Sequence, residues 1–379
     1  MNEVRIGLIG VGGMGSSHGR YLQEGRVRRA RLTAVCDGDP ARLADWPDPI
    51  RRFTDSRALI RSGAVDAVLI ATPHFSHTPI GIDAFRRGLH VLVEKPISVH
   101  KADAERLIAA RRGRPTVFAA MFQMRTAPQY VRLRELVRGG ELGTLQRVVW
   151  TATDWYRTQA YYASGGWRAT WAGEGGGVLL NQCPHILDQL VWIAGMPSRV
   201  RAYCAFGRHH PIEVEDDVTA YLEFPGGATG LFVCSTGEAP GINRVEFSGT
   251  RGRLVFEDGR LRFFRNTVPS DEFLRTSKGM WAKPETWTIE IPIPGGPGGG
   301  RHDLIAQNFV DAILDGAPLI APGEEGLASV ELANAMLLST FLDRAVDIPI
   351  SGAQYARHLA RRIAGSRAAR TARRRTKRN

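Results

Sequence analysis

A strand that empties into a glycine-rich turn fixes the beginning of this chain. The apolar run Val4-Arg5-Ile6-Gly7-Leu8-Ile9 leads directly into Gly10-Val11-Gly12-Gly13-Met14-Gly15. Gly10, Gly12 and Gly15 fit G-x-G-x-x-G between a strand and a helix, the pattern of a dinucleotide-binding βαβ unit. The first glycine permits a tight turn, the second lets backbone approach a pyrophosphate, and the third lets the helix pack on the strand. Gly13 and Met14 open that helix, whose free N–H groups and partial positive charge favour phosphates. A second apolar run, Leu32–Cys36, ends on Asp37. A carboxylate there accepts hydrogen bonds from the adenosine ribose hydroxyls and repels a 2′-phosphate. NAD is therefore expected in preference to NADP, with Arg42 near enough in sequence to temper the preference.

A chain of 379 residues, 43% of them hydrophobic, has material for two domains and a full core. No apolar run is long enough to span a bilayer, and the N-terminus enters a strand without a signal-peptide pattern. The four cysteines (Cys36, Cys183, Cys204, Cys234) lack metal-ligand or disulfide spacing, so no metal is expected and a reducing cytoplasm is the natural compartment. The net charge of +12 suggests nucleic acid until it is located. Residues 357–379 hold ten Lys or Arg and no acid, which leaves the rest near +2. Residues 351–379 therefore read as a basic tail, solvated and partly disordered at its end, and not as a nucleic-acid site.

Residues 1–122 alternate short apolar runs with helical segments, the rhythm of a doubly wound parallel sheet. Strands are expected at Ala64–Ala71, His90–Glu94 and Thr116–Ala120, with helices at Pro79–Arg87 and Lys101–Arg111. From about residue 121 the texture changes. A helix at Gln129–Gly139 precedes strands near 145–155, 199–206, 217–224, 227–235, 243–248, 252–257 and 260–265. Joined by glycine-rich turns, these predict a large, mostly antiparallel sheet. Helices from Asp303 and from Glu324 complete a second α/β domain, residues 123–350.

Ligands bind beyond the carboxyl ends of parallel strands. Besides the glycine turn, that places Thr72-Pro73-His74 and Glu94-Lys95-Pro96 beside the cofactor. Lys95 follows an apolar strand directly, so its ammonium projects into the crevice. There it can hold a substrate hydroxyl and, with its pKa lowered by burial, join in proton transfer. His77 reads as a packing residue. A second cluster is Gly175-Gly176-Gly177, followed by Asn181 and His185. On a helix Asn181 and His185 share a face, although Pro184 suits a first turn and leaves that register approximate. His185 has the side chain best suited to removing a hydroxyl proton near neutral pH.

These motifs in this order, the glycine fingerprint, Thr72-Pro73, Glu94-Lys95-Pro96 and GGG-x7-His, resemble the Gfo/Idh/MocA oxidoreductases, from residue 4 to about 345. The resemblance implies a Rossmann domain, then an α/β domain whose open sheet mediates homo-oligomerisation as a dimer or tetramer. It implies hydride transfer between nicotinamide and a sugar or cyclitol carbon, with Lys95 and His185 at the family's lysine and histidine positions. One departure stands out: many members carry Asp where this chain has Asn181. An amide holds a hydroxyl but is no carboxylate base, so acid–base work shifts to His185 and Lys95. Asp188 is either a substitute carboxylate or an orienting group.

Four of the eight tryptophans fall in residues 150–171. Flat rings cover the C–H face of a sugar while Arg and Tyr bond its hydroxyls. Tyr161, Tyr162, Trp167 and Arg168, in a glycine-broken segment, are the expected contacts. Gln123 and Arg125 are candidates for lining the cleft at the crossing between domains. Trp150 and Trp155 read equally well as core. Two other readings use the same residues. One is an NAD-dependent glycosidase that oxidises its sugar transiently; the other is a non-catalytic nucleotide-sensing regulator.

Overall fold

The computed structural model describes residues 2–376, with side chains to residue 366. The first sheet is formed by β1 (Val4–Ile9), β2 (Ala30–Cys36), β3 (Arg51–Phe53), β4 (Ala67–Ile70), β5 (His90–Val93) and β6 (Phe118–Ala120). All its pairings are parallel, in the order β3-β2-β1-β4-β5-β6. The order reverses between β1 and β4, which opens a crevice above β1. Helices α1 (Gly13–Gln23), α2 (Ser56–Arg61), α3 (His77–Arg86) and α4 (Lys101–Arg111) make the crossovers. Because helices cover both faces, the central strands are apolar almost without alternation; β4 is buried at every residue.

The second unit begins with α5 (Pro128–Arg138), β7 (Leu145–Ala152), a short α6 (Gln159–Ala163) and α7 (Pro184–Ala194). Its strands continue as β8 (Arg199–Phe206), β9 (Glu215–Glu223), β10 (Thr229–Ser235), β11 (Asn243–Gly249), β12 (Gly252–Glu257) and β13 (Arg260–Asn266). Then come α8 (Ser270–Thr276), β14 (Thr286–Ile291), α9 (His302–Asp315), α10 (Gly326–Leu342), β15 (Val346–Asp347) and α11 (Gly352–Thr376). The nine strands run β14-β13-β12-β11-β7-β10-β9-β8-β15. Every pairing is antiparallel except β7 with β10. Burial alternates along β9 and β10, so one face packs on α7 and α10 and the other is open. The expected fold class is the observed one. Among the described residues no helix is long and apolar enough to cross a membrane.

Two features differ from the sequence reading. Helix α9 returns to the first unit, where Ile305, Ala306, Phe309 and Val310 join the core built on β1, β4 and β5. The basic tail also begins as a packed helix. Tyr355 and Leu359 of α11 are buried in the second core, and the Arg362 guanidinium lies 3.6 Å from the Phe341 ring centroid. Tyr355, Leu359 and the half-buried Ile363 recur every fourth residue, an apolar stripe that the surrounding arginines obscure. The disorder expected at the tail's end concerns residues beyond the described ones.

Candidate active site

A cleft of about 960 Å³ runs along the carboxyl ends of β1, β2, β4 and β5 and reaches the second unit at Ser164, Trp167, Arg168 and Asn181. Its floor is the glycine turn. Gly10 has φ +91°, and a Cβ there would fall 2.7 Å from the Ala71 carbonyl oxygen. A Cβ on Gly15 would fall 1.8 Å from the Gly10 carbonyl oxygen, so any side chain there would push α1 off the turn. At Gly13 the space is open, and no side chain caps the start of α1. The first-turn N–H groups, including that of Met14, therefore face the cleft unpartnered. Asp37 closes the far wall. Its Oδ2 accepts from Val11 N at 3.0 Å and its Oδ1 from Asp39 N at 3.0 Å. Arg42 sits 3.7 Å from Asp37 and 3.5 Å from Asp39, shared between the two carboxylates. Thr72 contributes a buried Oγ1 with no hydrogen-bond partner. Unpartnered amides, an open glycine, a buried orphan hydroxyl and a carboxylate just after β2 fit a dinucleotide, for which Gly10–Gly15 would hold the pyrophosphate, Asp37 the adenosine ribose, and Thr72 and Pro73 the middle.

The strand-end residues Thr72-Pro73-His74 and Glu94-Lys95 meet across this cleft. His77 joins their segments, with Nδ1 and Nε2 each 2.8 Å from a carbonyl oxygen, of Pro96 and Thr72 respectively. Glu94 is buried, its Oε1 2.7 Å from His18 Nε2 and its Oε2 accepting from Lys95 N at 3.1 Å. Burial raises the Glu94 carboxyl, but the His18 hydrogen bond and the neighbouring cationic groups outweigh it and hold the group at about 2. Lys95 Nζ donates to the Asn181 carbonyl oxygen at 2.7 Å. Burial lowers the pKa of Lys95 against the opposing pull of Glu94 and Glu174. His74 donates from Nδ1 to the Glu174 carbonyl oxygen at 3.2 Å and stacks edge-on to Trp167. Burial first, then the charges of His77 and Lys95, push it down to about 3, so it is neutral.

The second cluster is divided between the cleft and its backing. Asn181 precedes α7, which starts at Pro184 with Cys183 as its N-cap, so Asn181 and His185 do not share a helix face. Asn181 lines the cleft. His185 lies behind it, 7% exposed. Gln123 Nε2 donates to His185 Nε2 at 3.0 Å, and both Gln123 Oε1 and His185 Nδ1 are buried without a partner. Burial, reinforced by the charge of Lys95, pushes the His185 pKa well below 6.5. Trp167 and Arg168 line the cleft. The Arg168 guanidinium lies 4.7 Å from the ring centroids of both Tyr161 and Trp167, and it donates to the Tyr161 hydroxyl at 2.9 Å.

Gln123, paired with His185, and Tyr161, beneath Arg168, do not line the cleft, and two more expected cleft residues serve elsewhere. Tyr162 turns into the core, where its hydroxyl pairs with Thr236 Oγ1 at 2.9 Å. Arg125 is buried against Asp188 and Glu325; its charge is consumed by structure, and so is that of Asp188. Trp150 is fully buried core. One residue escaped the sequence reading altogether. Glu174, directly before the glycines and 1% exposed, accepts from Asn181 Nδ2 and from Ala169 N. A glutamate beside glycines reads as a turn, and only its burial reveals it.

Two family models match the chain: "Oxidoreductase family, NAD-binding Rossmann fold" over residues 4–122 and "GFO/IDH/MocA C-terminal domain" over 130–255. Rhizopine catabolism protein MocA of Rhizobium meliloti is 31% identical, over 91% of this chain and 98% of its own. Levoglucosan dehydrogenase of Pseudarthrobacter phenanthrenivorans is 24% identical, over 92% and 99%. Among solved structures, the WlbA dehydrogenase from Chromobacterium violaceum in complex with NADH and UDP-GlcNAcA superposes with a TM-score of 0.80. It is 26% identical and covers 93% of this chain and 97% of that one.

Proposed function

The chain belongs to the Gfo/Idh/MocA family of NAD-binding oxidoreductases, and from that premise we propose that it oxidises a secondary alcohol of a sugar, sugar derivative or cyclitol. NAD, when bound, supplies the hydride acceptor. The observation that carries the reading is the 2.7 Å bond from Lys95 Nζ to the Asn181 carbonyl oxygen. It brings the lysine of the dinucleotide-binding unit and the polar cluster of the second unit into one cleft with the glycine turn.

Lys95 and His185 divide the proton work. Lys95, as an ammonium, donates to the substrate oxygen and stabilises the charge that builds there as the O–H bond weakens. His185, neutral through burial, backs the cleft within electrostatic reach of Lys95 and takes up that proton once its Nε2 gives up the Gln123 amide. The carbinol C–H electrons leave as hydride and the C=O bond forms. Asn181 and Arg168 hold neighbouring hydroxyls, while Trp167 flanks the sugar face. Most of the acceleration comes from positioning and preorganised charge. A relative named for levoglucosan and a structural neighbour in complex with UDP-GlcNAcA support a carbohydrate class of substrate.

The open sheet face supports self-association. Tyr221 and Leu231 are direct cross-strand partners on β9 and β10, 46% and 40% exposed, beside Tyr203 at 62%. A stripe of this kind marks an interaction surface.

The test is to incubate the protein with NAD and a panel of sugars, cyclitols and glycosides, following NADH absorbance and aglycone release together. NADH formation with a free sugar or cyclitol supports the dehydrogenase. Aglycone release without net NADH selects the redox-assisted glycosidase instead. Silence across the panel overturns the reading.

A further inference from the structure

Glu174 has no task in that mechanism, yet its placement is costly. A carboxylate 1% exposed to solvent must be compensated by hydrogen bonds and charges. Its Oε2 accepts from Ala169 N at 2.6 Å, and its Oε1 accepts from Asn181 Nδ2 with Arg168 Nη1 3.9 Å away. A carboxylate can only accept. The Asn181 amide nitrogen must therefore face Glu174, and Oδ1 must face the opposite way, where the Tyr161 hydroxyl donates to it at 3.4 Å. Tyr161 is held in turn by Arg168 at 2.9 Å and Gln182 at 3.2 Å. Both sides of the amide are thus fixed by residues of the 161–182 segment. The backbone of Asn181 meanwhile receives Lys95 Nζ.

We propose that Glu174 is a positioning residue that acts through Asn181. It locks the amide so that Oδ1 is the acceptor on the side away from Glu174, at a residue that lines the cleft, selecting a substrate hydroxyl that donates. The Glu174 carboxyl, raised by burial and held down by its Ala169 and Asn181 hydrogen bonds, polarises the amide seven residues on. Specificity follows: a substrate whose corresponding hydroxyl is methylated or replaced by a carbonyl offers no proton to Oδ1 and is rejected. The proposal rests on the reading of the cleft as a sugar or cyclitol dehydrogenase site.

The experiment compares wild type, Glu174→Gln, Asn181→Asp and the double variant, using the substrate that gives the most NADH in the panel. In Glu174→Gln, the glutamine oxygen is needed by Ala169 N, so its NH2 group faces Asn181 and turns the amide round. A fall in kcat/KM of about 10–100-fold is expected, the scale of a hydrogen bond to a charged group, with NADH binding by tryptophan fluorescence unchanged. Asn181→Asp sets a second carboxylate against the buried Glu174 and falls at least as far. The double variant restores a donor at 174 and an acceptor at 181, and recovers to within about tenfold of wild type. Wild-type kcat/KM in Glu174→Gln overturns the proposal, as does a double variant as poor as the product of the singles. Recovery of Tm in the double variant without recovery of kcat/KM makes the pair merely structural and also overturns it. A wild type inactive on every compound sinks the dehydrogenase reading itself, and this proposal with it.

Discussion

Arg125 and Asp188 face each other as a two-pronged pair, Nε to Oδ2 at 2.8 Å and Nη2 to Oδ1 at 2.6 Å, with both side chains 3% exposed. The pair ties the segment after β6 to the middle of α7, the helix that carries His185. Glu325 closes the arrangement from the other side of Arg125. An acid three residues beyond His185 is therefore a fixed counter-ion and is not available as a base.

Arg125→Met should cost about 3–5 kcal/mol, because it strands a buried carboxylate. Burial already pushes the Asp188 carboxyl up, and the Arg125 bonds and charge oppose that. Combining Arg125→Met with Asp188→Leu should recover most of the loss. Urea unfolding of wild type and the two variants checks this, and equal stability of Arg125→Met and wild type would refute the pairing argument.

The pH profile of kcat/KM should have two displaced limbs. Activity falls in acid when His185 gains a proton, and because burial and Lys95 push its pKa well below 6.5, that limb lies below pH 6.5. Activity falls in alkali when Lys95 loses its charge, and burial brings that limb below 10.5. Lys95→Arg should abolish the alkaline limb, since arginine stays charged. His185→Ala should lower kcat by about 10²–10⁴-fold and remove the acid limb. Limbs at the values of free histidine and lysine would contradict the assignment.

Asp37 should decide between dinucleotides. Asp37→Ala removes the repulsion against a 2′-phosphate and releases Arg42, now 3.7 Å from that carboxylate, to pair with the phosphate. The KM for NAD should rise about tenfold, near 1.4 kcal/mol, while NADP becomes usable. Steady-state kinetics with both dinucleotides measures it. An unchanged NAD-to-NADP ratio would remove Asp37 from the ribose site.

What could be read from the sequence was what local spacing encodes. Gly10, Asp37 and Lys95 are legible because each follows a strand end, with Gly15 in the first turn of the helix after β1, and the parallel topology gathers strand ends at one crevice. Asn181 was legible as a polar group beside glycines, but its amide orientation depends on Glu174, whose burial no local pattern announces. Arg125 and Tyr162 look like cleft residues in sequence because charge and aromaticity suit a ligand. Their partners, Asp188, Glu325 and Thr236, lie 63, 200 and 74 positions away, and only tertiary packing brings them in. Helix α11 was hidden for the opposite reason: its net charge outweighs a three-residue apolar stripe.

Acid stability should depend on His18 and Glu94. The Glu94 carboxyl is held at about 2 in the folded protein, against about 4.3 for an unfolded glutamate. A carboxyl depressed on folding stabilises the native state above the unfolded value, and that contribution is lost as pH falls from roughly 4 toward 2. The bond from Glu94 Oε1 to His18 Nε2, 2.7 Å long and buried, is the main force opposing desolvation. His18→Leu leaves Glu94 buried with one fewer partner, so its carboxyl rises and takes up a proton at higher pH. The midpoint of acid unfolding, followed by far-UV circular dichroism from pH 6 to pH 2, should move upward relative to wild type. Glu94→Gln in the His18→Leu background removes the titrating group and should return the midpoint toward that of wild type. A His18→Leu protein that unfolds at the wild-type pH would show that the Glu94 carboxyl is stabilised by something other than His18.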